Sequence, residues 1–306
     1  MASLIKSRVF SISLTSAISL PLFVNAAMSS SNYQIKFDSV GVGGTDTSSS
    51  ASYKVRDSLE FIDGQSSSTS YRADQGYRGG IYDPVVHFNV IAQDTSTQVA
   101  ATSITSTSVV VTSSAGFSTG DYIAVIQDEG LSQVAAMGLI TSVAGTTLNV
   151  DFFQYASVLP TIDSSNDYVY ELSGSTIPLA GITPSTASTA ILGWEVAADV
   201  PTGYSVYIYE DQDLKIPSSN AWTDVSDGVV TLGVEEYGAR SSDSTLASST
   251  FDTSDTSFTS SLQQVASRST AILKARDFLT LKLAASTNTL NGSYSHTLTA
   301  VFVGNY

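Results

Sequence analysis

Residues 137–151 have the sequence MGLITSVAGTTLNVD, in which two strand patterns flank Ala144-Gly145. Short runs rich in branched residues, bounded by turn residues, are typical of β-strands. A glycine between two such runs permits the tight turn that joins antiparallel strands. The stretch therefore predicts a β-hairpin.

Three further strand patterns surround this hairpin, at residues 107–112, 121–126 and 168–172. They are short runs rich in branched and aromatic residues, and no helical period interrupts them. The segment Phe117-Ser118-Thr119-Gly120-Asp121 is similar to the Gly-Asp turns of small β-barrels. Five strands at such close spacing predict that residues 96–172 form a small β-barrel-like domain.

The C-terminal part, residues 173–306, alternates again, and Ser/Thr/Asp-rich loops separate its strand patterns. This texture predicts an antiparallel β-sandwich. We expect a hairpin at Asn291-Gly292 and one short helix within residues 260–275. A strand pattern at 84–94 has no obvious partner in the middle block. We therefore assign residues 83–95 to the sandwich as its first strand, which makes residues 96–172 an insertion.

A serine-rich run followed by tyrosine occurs three times in residues 27–82, ending at Tyr33, Tyr53 and Tyr71. Alternating segments such as Tyr33-Gln34-Ile35-Lys36-Phe37 follow these tyrosines, and the pattern predicts three short β units. The other interpretation is a flexible Ser/Gly tether. The predicted fold class is all-β: an antiparallel β-sandwich with a small inserted β-barrel-like domain and an N-terminal β-repeat segment.

Residues 1–26 have the order of a secretory signal peptide. Lys6 and Arg8 precede an apolar stretch, and Val24-Asn25-Ala26 fits the small-x-small cleavage rule. We therefore expect the protein to be secreted, extracellular or at the cell surface. No later stretch is long and apolar enough for a membrane span, so we predict no transmembrane segment in the mature chain.

The composition excludes several classes of protein. The chain has 13 Lys and Arg against 28 Asp and Glu, which argues against a nucleic-acid partner. Because it has no cysteine, disulfide scaffolds, thiolate zinc sites and iron–sulfur centres are excluded as well. An exported chain without disulfides must gain its stability from apolar burial or from assembly.

Two segments of the C-terminal part resemble strands of a known group of proteins. They are Gly292-Ser293-Tyr294-Ser295-His296-Thr297-Leu298-Thr299 and Pro201-Thr202-Gly203-Tyr204-Ser205-Val206. Similar strands occur in bacterial secreted surface and appendage β-sandwiches of the spore-coat-like, WxL-like and pilin-like kinds. The resemblance implies a structural or adhesive role and no catalytic residues.

Carboxylates in loops are candidate calcium ligands, because Ca²⁺ takes six to eight oxygen ligands from converging loops. Glu210-Asp211-Gln212-Asp213 follows a strand pattern, and Asp224 lies in another loop. We predict no cofactor other than calcium, and if calcium binds, Asp211 and Asp213 are its predicted ligands. The other interpretation is a solvated acidic loop.

Tyr207 and Tyr209 share one face of a predicted strand, while Val206 and Ile208 occupy the other. An outward aromatic face suits contact with carbohydrate or protein, so both tyrosines are candidate ligand contacts. The same residues also fit a core strand that is buried on both faces.

Catalytic groups are few. His87 and His296 lie in strand patterns without a Gly-x-Ser-x-Gly elbow nearby. Glu235 and Glu236 are adjacent, and adjacent residues in a strand face opposite sides. We therefore expect no enzyme.

We expect instead an exported surface or appendage protein that acts through contacts between β modules, with strand-mediated assembly. Its partners would be other surface proteins or copies of itself, and glycans are a further candidate. The alternative is a secreted carbohydrate-binding module with calcium dependence, and a secreted glycoside hydrolase ranks behind both.

Overall fold

The computed structural model describes residues 86–305, except for residues 199, 201, 218, 219 and 271. It also describes seven short strands that precede residue 86. In these parts of the chain the fold is almost entirely β, and its one helical element is a 3₁₀ turn, Thr95–Thr97. The prediction of an all-β fold is therefore confirmed. No helix in the described parts is long and apolar enough to cross a membrane.

Six antiparallel strands form a closed barrel. Their order is β9–β10–β13–β12–β11–β14, and β14 returns to pair with β9. Val109, Ile123, Leu148 and Val169 are among the side chains that fill its interior. The strands are β9 (Val99–Thr105), β10 (Ser108–Val111), β11 (Tyr122–Gln127), β12 (Val134–Ala144), β13 (Thr147–Tyr155) and β14 (Tyr168–Gly174).

The stretch at 137–151 forms the expected hairpin between β12 and β13. Ala144 pairs with Thr147, and Gly145 has a φ of 61°, a left-handed conformation that glycine adopts without strain. Strand β9 was not among the five predicted strands. Its sequence, VAATSIT, alternates poorly and mixes buried with exposed residues.

Seven strands form two further layers. One is a sheet of order β8–β16–β20–β18, which joins the barrel where the end of β8 pairs with β14. The other is a three-stranded sheet of order β19–β17–β21. The strands are β8 (Val86–Gln93), β16 (Ser188–Ala198), β17 (Tyr204–Glu210), β18 (Glu236–Ser241), β19 (Gln263–Arg268), β20 (Ile272–Ala284) and β21 (Leu298–Gly304).

The core of this sandwich lies between the two layers. Trp194 and Leu281 from the first sheet belong to the same buried apolar cluster as Val206 and Ile208 from the second. Burying such side chains contributes about 1.5–3 kcal/mol each relative to exposure. The two layers are therefore held together by apolar burial, as a chain without cysteine requires.

Two local predictions for the C-terminal part were wrong. The helix expected within residues 260–275 is replaced by β19 and the start of β20. The hairpin expected at Asn291-Gly292 does not form, because β20 and β21 lie in different sheets and residues 285–297 cross between them. Gly292 accordingly lacks a positive φ.

A buried ionic junction connects the barrel to the sandwich. Arg276 on β20 donates to both carboxylate oxygens of Asp151 on β13, at 2.7 and 2.6 Å, and to Glu195 on β16 at 2.7 Å. Its guanidinium lies 4.4 Å from the ring centre of Phe152. Lys274 adds a second cation, 2.7 Å from Asp151. Burial alone would raise the pKa of Asp151, but hydrogen bonds from Arg276 and Lys274 hold it well below its usual value.

The N-terminal part contains three antiparallel strand pairs. Two-residue strands make up the first two pairs and four-residue strands the third. Tyr53 and Tyr71, on which the predicted repeat depends, lie outside the described residues, and so does the signal sequence apart from β1. Residues 12–84 form one compact unit, and residues 1–11 together with 85–306 form another. The strands are β1 (Leu4–Lys6), which pairs with β15 (Thr176–Ile177), β2 (Ser29–Ser30), β3 (Tyr33–Gln34), β4 (Ser48–Ser49), β5 (Lys54–Val55), β6 (Gly64–Ser67) and β7 (Arg72–Gln75).

Candidate functional site

Two loops bring three carboxylates together at one end of the three-stranded sheet. Glu210 is the last residue of β17, Asp213 follows it in the next loop, and Asp224 lies beside β18, where it bridges to Tyr237. One oxygen from each of the three carboxylates lies within 4.8 Å of the others. We call Glu210, Asp213 and Asp224 the acidic cluster.

Burial differs sharply within the acidic cluster. Glu210 is buried, Asp224 is half-buried and Asp213 is exposed. Burial, followed by the negative charges of Glu210 and Asp213, raises the pKa of Asp224 to about 6. Carboxylates this close repel one another, so the cluster favours uptake of a proton or of a cation.

A histidine closes the inner side of the acidic cluster. His296 Nδ1 lies 2.9 Å from Glu210 Oε2, and His296 Nε2 lies 3.0 Å from the hydroxyl of Tyr237. Because a carboxylate only accepts, Nδ1–H donates to Glu210, and in the neutral imidazole Nε2 accepts from the tyrosine. Burial raises the pKa of Tyr237 well above its usual value, so its proton stays in place.

This hydrogen-bonded chain is closed to solvent. The side chain of His296 is 0 % exposed, and Tyr237 is fully buried as well. Both ring nitrogens of His296 are engaged, and Phe258 packs against the same ring. A substrate therefore has no access to the imidazole in this conformation, and the arrangement fixes the position of Glu210.

The two chosen metal ligands have different surroundings. Asp213 belongs to the acidic cluster. The Asp211 carboxylate instead accepts a hydrogen bond of 2.7 Å from the backbone N–H of Thr297, while its own N–H donates to the Thr297 carbonyl. Calcium binding by Asp211 and Asp213 stays a prediction. Comparing D213N with D211N in a calcium titration tests it, because both variants lose one charge from the same loop.

Tyr207 and Tyr209 lie on the outer face of the three-stranded sheet. Val206 and Ile208 on the same strand point into the sandwich core, so the tyrosines face away from it. Both tyrosines are half-buried, opposite Val301 and Thr299 of β21. We call this surface, with the 42 % exposed Val303, the tyrosine face.

The remaining candidates do not come together into one site. His87 is exposed on β8, whereas His296 is buried. Glu236 begins β18 and accepts from the Thr231 N–H at 2.8 Å, while Glu235 accepts from the N–H and hydroxyl of Thr223. The two carboxylates therefore accept hydrogen bonds from different loops and do not face a common site.

The link from Glu210 through His296 to Tyr237 was not predicted. Glu210 and His296 are 86 residues apart, and Tyr237 is 59 residues from His296. The position of His296 in an alternating strand pattern was the available signal, and it gives no partner.

Comparisons with protein-family models, with curated proteins and with solved structures found no match for this chain. Its class is therefore defined by the fold alone. It is an all-β protein in which a six-stranded barrel is continuous with one of the two sheets of a sandwich.

Proposed function

We propose that this chain is a non-enzymatic structural or adhesive protein of the cell surface or of a surface appendage, and that it acts through contacts of its β modules. The observation that carries the proposal is the tyrosine face. Half-buried tyrosines beside aliphatic side chains provide apolar contact area together with hydroxyl groups, at a low cost in conformational entropy.

The buried junction at Arg276 is a second, independent observation that supports this proposal. A barrel and a sandwich that share a sheet and an ion network present their surfaces in a fixed relation, which suits a building block. The sealed environment of His296 fits the same interpretation, because its imidazole stabilises a loop rather than facing a cleft.

The test is binding of the purified mature chain to the surface of the cells that produce it. Replacing both tyrosines, Tyr207→Ala with Tyr209→Ala, should weaken binding about tenfold or more, since removing aromatic contact residues costs about 1–2 kcal/mol. The matched control is Tyr155→Ala, a 39 % exposed tyrosine of the barrel, which should bind as the native chain does. Equal binding by the double variant and the native chain would contradict the proposal.

A second candidate is carbohydrate binding, which the placement of the acidic cluster favours. Glu210 ends the strand that carries Tyr207 and Tyr209 but lies on its buried face, whereas the exposed Asp213 follows in the loop at the same end of β17. A glycan array with calcium and with a chelator separates the two functions. Binding that is lost with chelator and in D213N supports the carbohydrate module, and an array without signal removes it.

A further inference from the structure

One side of the sandwich ends on two edge strands. β21 pairs with β17, and within residues 86–305 no strand pairs with its other edge. β8 pairs with β16 along its length, but its other edge meets β14 only at Ala92 and Gln93. In the described part of the chain, residues 86–91 are therefore hydrogen-bonded to one strand, β16, although β15 also contacts β8.

The edge strands β8 and β21 belong to different layers, and their side chains meet between the layers. The rings of Phe88 on β8 and Phe302 on β21 lie 5.9 Å apart, and Phe302 also lies 5.5 Å from Tyr204. Phe88 and Phe302 are partly buried side chains that pack on the core cluster. We call this region the open side of the sandwich.

The opposite side of the sandwich is closed by hydrogen bonds between its layers. Ser241 on β18 donates to the carbonyl of Val265 on β19 at 2.6 Å, and Ser249 donates to the carbonyl of Gln264 at 2.5 Å. An unpaired edge beside half-covered aromatic rings is a site for the addition of a strand, because such an edge offers a row of backbone donors and acceptors.

We propose that the open side binds residues 33–37 of a second copy of this chain as an added strand along β21. This deepens the proposed function, on which it rests, by naming the partner. Residues 33–37, YQIKF, place Tyr33, Ile35 and Phe37 on one face of an extended strand. That face covers Phe88 and Phe302, while Gln34 and Lys36 point outward.

Charge favours the same occupant. Residues 83–306 contain six Lys and Arg against 22 Asp and Glu, whereas residues 27–82 contain five against six. Four of those six cations form ion pairs within the folded part, and they are Arg268, Lys274, Arg276 and Lys282. The N-terminal segment is thus the part of the mature chain that approaches the acidic body with the least repulsion.

The N-terminal segment is also suited to donate a strand to another molecule. Its described strands form two-stranded pairs, and an isolated pair of this kind is marginally stable in water until a further sheet receives it. Residues 12–84 form a unit separate from the unit that contains residues 85–306. Pairing with the next copy would link the molecules head to tail.

Sedimentation velocity of the full mature chain provides the first test. The native chain should form dimers and longer chains as its concentration rises. Ile35→Lys combined with Phe37→Lys should raise the dissociation constant about tenfold or more, because charges would then face the apolar core. Gln34→Lys is the matched control on the outward face and should associate normally. A native chain that stays monomeric, or a double variant that associates normally, overturns the proposal.

Single cysteines provide the second test and require no loss of fold, since the chain has no cysteine of its own. A mixture of the Ile35→Cys and Phe302→Cys chains should form a disulfide-linked heterodimer on oxidation. Ile35→Cys mixed with Ser113→Cys, an exposed position on the barrel, should not. In the double variant I35C/F302C, cross-linking within one chain instead of between chains overturns the proposal.

The outcomes of these tests are separable from those for the proposed function. Tyr207→Ala with Tyr209→Ala changes the outer face of the sheet and leaves the sequence of the edge and of residues 33–37 intact. That variant should therefore lose cell binding and keep its head-to-tail association.

Discussion

At the scale of single residues, Gly203 is the position that tolerates a side chain least. Its φ is +81°, its N–H donates to Val200 and its carbonyl accepts from Asn305, both at 2.9 Å. A Cβ at this position would collide with the backbone carbonyl of Arg268 on β19. The turn before β17 therefore requires glycine for its conformation and for space.

We expect Gly203→Ala to lower the free energy of unfolding by about 3 kcal/mol, measured by urea denaturation, since strain and a backbone clash add together. Gly145→Ala is the control, because Gly145 has a φ of +61° and no atom within 4 Å of an added Cβ. It should cost about 1 kcal/mol, the price of the left-handed conformation alone. Equal losses in the two variants would contradict the predicted clash.

Asp224 gives a prediction with a definite pH dependence. Its pKa of about 6 in the folded protein, raised from 3.8, means that the folded state binds its proton more tightly than the unfolded state does. Its contribution to stability is complete below pH 3.8 and is lost as the pH rises through about 6. At neutral pH the ionised carboxylate is therefore destabilising.

Asp224→Asn should accordingly raise the free energy of unfolding at pH 7.5, by about 1 kcal/mol after allowance for solvent screening of a half-buried group. The gain should disappear below about pH 4, where the native carboxyl is protonated. Asp211→Asn is the matched control, since it removes one charge from the neighbouring loop and keeps an oxygen acceptor for Thr297. A gain that persists unchanged at pH 4 would show that relief of charge is not its cause.

At the scale of elements, the contact between β13, β16 and β20 depends on Arg276. The Arg276 side chain is 0 % exposed, and it holds one carboxylate from the barrel and one from the sandwich. Arg276→Met leaves Asp151 and Glu195 without this partner. Removing one member of a buried ion pair costs about 3–5 kcal/mol, so urea denaturation should show a loss of that size.

Lys274→Met is the comparison variant for this junction. Lys274 contacts the same Asp151 carboxylate, but its side chain is 37 % exposed. A partly exposed ion pair contributes about 1 kcal/mol or less, so this variant should remain close to the native stability. A similar loss in both variants would mean that burial does not distinguish the two cations.

At the scale of the whole molecule, the sequence predicts what neighbouring residues determine. The β12–β13 hairpin follows from residues 137–151, because its turn and both its strands lie in one stretch. The pairings of β20 with β16 and of β21 with β17 are made between distant segments. Asn291-Gly292 predicted a hairpin, but it lies where the chain crosses from one sheet to the other.

The acidic cluster was predicted only in part, for the same reason. Asp213 and Asp224 are visible as loop acids, but their meeting depends on how two loops converge.

The connection between the barrel and the sandwich leads to a prediction for unfolding. Trp194 and Trp222 are the two tryptophans of the chain, and both belong to the sandwich core, so tryptophan fluorescence reports on the sandwich. Far-UV circular dichroism reports on the barrel strands as well. Since the end of β8 pairs with β14 and Arg276 bridges the two cores, we expect the two signals to follow one urea transition. In Arg276→Met the fluorescence and dichroism midpoints should separate, because the junction then no longer couples the two cores. Separate midpoints already in the native chain would mean that the barrel and the sandwich are stabilised independently and that the ion network only positions them.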